Sequence, residues 1–250
     1  MRIVGHRGGH ADPPWTDFTA QQHQTRKDTE QSSHCSSRLP ARLNEGKKMP
    51  ALESELDIMT ALKAGTIEQH SSIERIMPFF KDDLSLEAYI RVLKAFLGFF
   101  EPVERELRSI ATRDTFGFNI DRRQRAKLLR RDLLALGVTH ADMELLPRCD
   151  HLPRLENVDD GLGCLYVLEG STLGGQLIVR ELHTRFGVEE KTGAGFFHGY
   201  GSQTGVKWRE FCTSVRIYAA GGKSQSAIVQ SARNTFELLE SWMRKANFSE

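Results

Sequence analysis

A chain of 250 residues with a net charge of +1 has room for one domain of ordinary size, and 39% hydrophobic residues can fill its core. The near-neutral balance excludes a general nucleic-acid binder, which carries a clear basic excess, and no uninterrupted apolar run reaches the roughly 20 residues of a membrane span. There is no apolar secretory leader, and Cys35, Cys149, Cys164 and Cys212 lack CxxC spacing, which suits reduced thiols in the cytoplasm better than zinc ligands or disulfides.

Residues 1–48 contain only 11 apolar residues and no helical or strand periodicity, so they read as a disordered tail. Their histidines (His6, His10, His23, His34) are irregularly spaced and give no metal-site pattern, and Met49 is a candidate translation start. A single domain is expected over 49–250. Its first helical stripe is Leu52, Leu56, Met59, Leu62, Thr66, His70, Ile73 and Met77, ending at Pro78. The second runs from Leu86 through Phe100, capped by Asp82-Asp83, with Pro102 expected to kink it or divide it. A third spans about 121–136 and stops at Gly137, a suitable C-cap. Thr139 to Asp142 turns into a short helix, and 147–159 is a loop. One long helix is expected over 161–186, then a glycine-rich connection through Gly205, then helices near 207–219 and 224–246. No alternating strand pattern stands out. The fold class is all-α, a single-domain helical bundle.

His70 falls on the apolar stripe, so its imidazole is expected to point into the core, either as a packed residue or as a metal ligand. Glu74, four residues on, shares its face and can accept a hydrogen bond from one ring nitrogen, leaving the other free for a metal. Lys63 lies two turns earlier, roughly 10 Å along the axis. That offset suits a cation meeting a carboxylate on a flat ligand centred over the histidine.

The run Leu168-Glu169-Gly170-Ser171-Thr172-Leu173-Gly174-Gly175-Gln176 interrupts an amphipathic helix. Each interior glycine costs roughly 1 kcal/mol relative to alanine, so three need a reason. Gly170 and Gly174 share a face whose bare backbone can pack closely on another helix, kink, or lie over a planar ligand.

Leu62-Lys63-Ala64-Gly65-Thr66-Ile67-Glu68-Gln69-His70-Ser71-Ser72-Ile73-Glu74 resembles the proximal-helix signature of the biliverdin-producing haem oxygenases, L-K-x-x-T-x-x-x-H-x-x-x-E. The Gly170–Gln176 stretch resembles that family's distal helix, and its wording is most similar to the branch that accompanies bacteriophytochromes. The likeness covers roughly residues 50–245. It implies a haem-oxygenase-like bundle with His70 as axial iron ligand, Glu74 its hydrogen-bonding partner, and Lys63 paired with a haem propionate. Gly170 and Gly174 would form the floor against which dioxygen rests. Lys207 is a candidate second propionate partner, Tyr166 a residue that reaches the pocket or packs, and Phe236 an aromatic wall for the haem.

The sequence departs from the family's pattern at Ser171, where many members carry an aspartate that orders proton-feeding waters. A hydroxyl donates and accepts hydrogen bonds but cannot hold water with a charge. Glu169 is a poor substitute, because a helix turns about 100° per residue. The resemblance implies cleavage of haem, at once substrate and cofactor, to biliverdin, carbon monoxide and ferrous iron with dioxygen. Electrons would come from an external ferredoxin or reductase, since the chain has no dinucleotide fingerprint or cysteine cluster. Arg122, Arg123, Arg125, Lys127, Arg130 and Arg131 form either its docking face or a solvated helix face. Two other readings stay open: a haem carrier or sensor with weak turnover, favoured by Ser171, and a haem-free helical relative. The product could pass to a bacteriophytochrome. No apolar tail precedes Glu250, which suits a cytoplasmic form without nucleic-acid or membrane partners.

Overall fold

The computed structural model describes residues 57–111 and 116–247. The expected tail over 1–48, with its boundary, and the stripe positions Leu52 and Leu56 lie outside the described residues. The helices are α1 (Ile58–Ile76), α2 (Leu86–Ala111), α3 (Ala126–Ala135), α4 (His140–Leu145), α5 (Val158–Gly170), α6 (Gly175–Phe186), α7 (Gly195–His198), α8 (Thr204–Ala220) and α9 (Gln225–Asn247). Short 3-10 turns occupy Ile120–Arg123, Glu190–Thr192 and Gly201–Gln203. Among the described residues there is no strand.

Helix α2 contributes much of the core, and Tyr89, Leu93, Leu97, Phe99, Phe100, Val103 and Leu107 along it are essentially buried. Of the two outcomes expected at Pro102, division does not occur: the helix continues through it. A proline has no N–H to offer the carbonyl four residues back, and here that carbonyl, of Gly98, accepts instead from the Cys149 N–H at 2.9 Å. Gly98 permits the approach, because a Cβ there would meet the Pro147 carbonyl oxygen and the Trp242 ring at 2.6 Å.

Two other expected elements differ. The helix over 121–136 starts as a 3-10 turn capped by the Asn119 side chain, and α3 begins only at Ala126. Its first N–H groups, of Arg125 and Ala126, donate to the buried Glu104 carboxylate at 2.6 and 3.2 Å. The helix over 161–186 is two helices, broken at 171–174. The Ser171 and Thr172 hydroxyls donate to the carbonyls three residues back at 2.7 Å, competing with the helical ladder beside three glycines. By composition Val158–Phe186 is long and apolar enough to cross a membrane, but half of it is buried within the fold, as in a core helix. The short helix after Thr139 forms as expected, with a Thr139–Asp142 capping box.

Helix α9 is the common support of the bundle, packing along both α5 and α1. Glycine notches allow the close approach. A Cβ on Gly65 would meet Val229 Cγ1 at 2.5 Å, and one on Gly163 would run into the Ile228 carbonyl oxygen and Ser231. Polar ties fix the register: Ser72 donates to Glu240 at 2.8 Å, Arg233 donates to the Gly65 carbonyl, and Ser231 donates to the Asp160 carbonyl at 2.7 Å. As α1 advances from Gly65 to Ser72, its α9 partners advance from Val229 to Glu240. Helix α5 advances in the same sense, from Asp160 beside Ser231 to Cys164 beside Thr235. The two helices therefore run side by side on α9.

Burial gives the fold a measurable pH dependence. Desolvation pushes the Glu104 carboxyl up to about 7 and that of Asp132 to about 6, against the backbone N–H groups that favour their ionised forms. An unfolded carboxyl titrates near pH 4, so between about pH 4 and 7 the folded state holds protons that the unfolded chain has lost. Stability then falls as pH rises through that window and levels off above it. For Glu104 the loss is at most roughly 3 kcal/mol, at about 1.4 kcal/mol per pH unit. Melting temperatures of wild type and E104Q measured from pH 5 to 7.5 are expected to diverge, with the wild type falling by several degrees more. Parallel curves would sink this assignment.

Candidate functional site

Both α1 and α5 pack on α9, and the space between them is the candidate slot. Its base is a bridge from the Tyr166 hydroxyl on α5 to Thr66 on α1, and burial in this position raises the affinity of the Tyr166 hydroxyl for its proton. Thr66 is itself buried and donates to the Leu62 carbonyl at 2.8 Å. Four residues beyond this bridge lie His70 on α1 and Gly170 on α5.

His70 does not point into the core as the stripe suggested; its side chain is 54% exposed. The buried face of α1 is centred on Leu62 and Ile73. At about 100° per residue, His70 lies some 60–80° around the helix from it, at the margin of the slot. Glu74 sits 3.4 Å from Nδ1, at ion-pair range. The ring packs in a T-shaped contact with Phe236 from α9, 5.7 Å between centroids at 78°. Lys63 is exposed and has no carboxylate partner among the described residues. Exposed Ile67, between Lys63 and His70, adds apolar surface.

On the α5 side the three glycines have different roles. A Cβ at Gly174 would meet nothing within 4 Å, and one at Gly170 only the rim of Trp208 at 3.9 Å. These two leave a bare, open face that side chains would fill. Gly175 alone is the packing glycine: a Cβ there would overlap the Phe197 carbonyl of α7. Leu173 and Leu177 lie off the buried face of α6 and are only half-buried.

Lys207, the candidate second propionate partner, lies near the start of α8. Its ammonium pairs with Glu210 at 2.8 Å, and its carbonyl accepts from Arg123. A neighbouring cation, Arg209, is exposed on the same turn of α8. The arginine run is also divided by the fold. Arg123 and Arg125 are buried, Arg130 pairs with Glu101 and Glu144, and only Arg122, Lys127 and Arg131 stay on the surface.

Those buried arginines are what the sequence reading missed. Arg123 pairs with Glu169 at 2.5 Å, and the other Glu169 oxygen accepts from the Tyr200 hydroxyl at 2.9 Å, so Glu169 is turned inward and occupied. Arg125 lies over the Phe196 ring at 4.0 Å and donates to the Phe196 carbonyl and, at 2.8 Å, to the Ser171 hydroxyl. Ser171, which replaces the usual aspartate, is thus the outer end of a buried guanidinium. Trp208 was missed too. It packs against Tyr166 at 5.9 Å and Phe211 at 5.5 Å, beside Gly170.

These elements define a protein that is all-helical among the described residues, with two motif helices, α1 and α5, on one support. The heme oxygenase family profile matches residues 56–245, and the chain belongs to that family. The fold agrees. The NO- and CO-bound heme oxygenase from Neisseria meningitidis superposes with a TM-score of 0.63 at 22% identity, over 77% of this chain and 92% of that one. Heme oxygenase from Leptospira interrogans gives 0.65 at 20% identity, over 76% of this chain and all of that one. No curated protein sequence matches significantly.

Proposed function

We propose that this protein binds haem in the slot between α1 and α5 and oxidises it to biliverdin, carbon monoxide and ferrous iron, using dioxygen and electrons from an external donor. The observation that carries this reading is the pairing of a half-exposed histidine on α1 with the open glycine face on α5, in a chain of the heme oxygenase family. The residues fit the ligand. A bare backbone cradle at Gly170 and Gly174 accepts a flat ring, and Phe236, Trp208 and Ile67 supply apolar walls. Lys63 meets a carboxylate at the edge. Haem, once bound, supplies both the iron that activates dioxygen and the porphyrin carbon that is oxidised.

The chain's own part is ligation, orientation and proton supply. His70 would hold the iron through Nε2, with Glu74 facing Nδ1 and steadying the ring from the other side. Gly170 and Gly174, bare of side chains, would leave room for a small diatomic ligand beside the haem. Ser171 replaces a charged water-organiser with a polarised one: its hydroxyl accepts from cationic Arg125 and donates to the Leu168 carbonyl. With its one proton on the Leu168 carbonyl and one lone pair taken by Arg125, the hydroxyl offers a neighbouring water a single acceptor site.

The surface cations Arg122, Lys127 and Arg131 suit an acidic ferredoxin or reductase. Cys149, Cys164 and Cys212 are free and buried, which fits a cytoplasmic protein. The wording from Leu168 to Gly175 supports delivery of the product to a bacteriophytochrome. The test is a single turnover: haem-loaded protein with a reductant and oxygen is expected to lose its Soret band as the red biliverdin band grows. A stable haem complex that yields no biliverdin, even with ferredoxin and its reductase, would overturn the enzymatic reading in favour of the carrier. Failure to bind haem would overturn both.

A further inference from the structure

We propose that Trp208 fixes the in-plane orientation of the bound macrocycle, and with it the ring carbon that is opened. This rests on the haem-oxygenase reading above. Ligation by one histidine leaves rotation about the ligating axis free. Lys63 restrains that rotation softly, because an ammonium on a four-carbon stem follows a carboxylate over several ångströms. The bare floor at Gly170 and Gly174 offers no restraint. Something rigid at the side of the slot must select the orientation.

Trp208 is that rigid element. Its Cη2 and Cζ3 atoms are the ones that reach within 4 Å of where a Gly170 Cβ would sit, at 3.9 and 4.0 Å. A flat ligand lying over Gly170 therefore abuts the edge of the indole. The indole is braced by two rings. It is tilted 31° against Phe211, which is fully buried, and 48° against Tyr166, which is bridged to Thr66. Its backbone is pinned as well: the Lys207 carbonyl accepts from both terminal nitrogens of Arg123 at 3.3 Å, and Arg123 is itself held by Glu169 and Glu210. Across the slot, Phe236 against His70 limits the other side. A haem turned about its normal would drive a different substituted edge into the indole.

The test compares wild type with W208F, W208L and W208A. Proton spectra of the cyanide-bound ferric haem complexes report orientation through the hyperfine-shifted haem methyl signals, and single turnovers report the biliverdin isomer. Wild type and W208F, which keeps a planar edge, are expected to share one dominant methyl pattern and one dominant isomer. W208A and W208L are expected to show a second methyl pattern and a rise of about tenfold in a minor isomer, the scale of discrimination that one pocket contact provides. Should the alanine variant prove unstable, the leucine variant carries the comparison. Either small variant binding haem as tightly as wild type, with an unchanged methyl pattern and isomer, would overturn the proposal while leaving the haem reading intact. Haem bound by none of the four proteins would overturn that reading instead, and this one with it.

Discussion

Replacing His70 with alanine is expected to abolish the axial-histidine haem spectrum and to lower single-turnover biliverdin formation by more than about 100-fold, while the fold persists. The magnitude follows from ligation: partners that merely orient a ligand already account for about 10–100-fold in metal affinity or activity. The fold persists because the side chain is half in solvent and touches little besides Glu74 and the edge of Phe236. Substitutions at such exposed positions change stability by about 0.5 kcal/mol. The far-ultraviolet dichroism and melting temperature should match wild type, and imidazole added to the variant should restore part of the ligated spectrum. A variant that kept the wild-type Soret and ligand signature would remove His70 from the site and take the function of α1 with it.

The largest stability effect belongs to Gly175, not to the glycines of the cradle. G175A is expected to cost more than about 3 kcal/mol, because its Cβ would overlap the Phe197 carbonyl, and two packed backbones cannot both yield. G174A, one residue earlier, puts the same methyl group into open space and is expected to melt within a degree or two of wild type. Its effect should fall on haem affinity and turnover, since the methyl occupies the floor of the slot. Denaturant midpoints and haem titrations of the two variants separate the roles. Equal losses of stability would refute the division of labour.

Much of this was legible in the sequence because helical periodicity and the two short motifs are local. The stripe through Leu62, Thr66 and Ile73 located α1, and the glycine run located the face opposite it. What stayed hidden depends on partners distant in the chain. The continuity of α2 through Pro102 needs a donor from Cys149, some 50 residues on, which no pattern around the proline announces. The exposure of His70 turns on tens of degrees of helical phase, a finer matter than spacings of three and four can fix. Arg123 and Arg125 read as a basic surface because buried and solvated arginines look alike until Glu169, Glu104, Ser171 and Phe196 are placed around them. Trp208 carries no motif at all; its meaning comes from standing beside Gly170.

The notches at Gly65 and Gly163 make α9 the common axle of the two motif helices, much as one pin carries both blades of a pair of pliers. The grip on a ligand is therefore governed from outside the jaws. Bulk introduced at Val229 or Ser231, neither of which needs to touch the ligand, would spread the opening, and trimming there would narrow it. Grip can thus be tuned by drift along α9 without altering any residue that meets the ligand, which gives the lineage a dial for affinity separate from its chemistry.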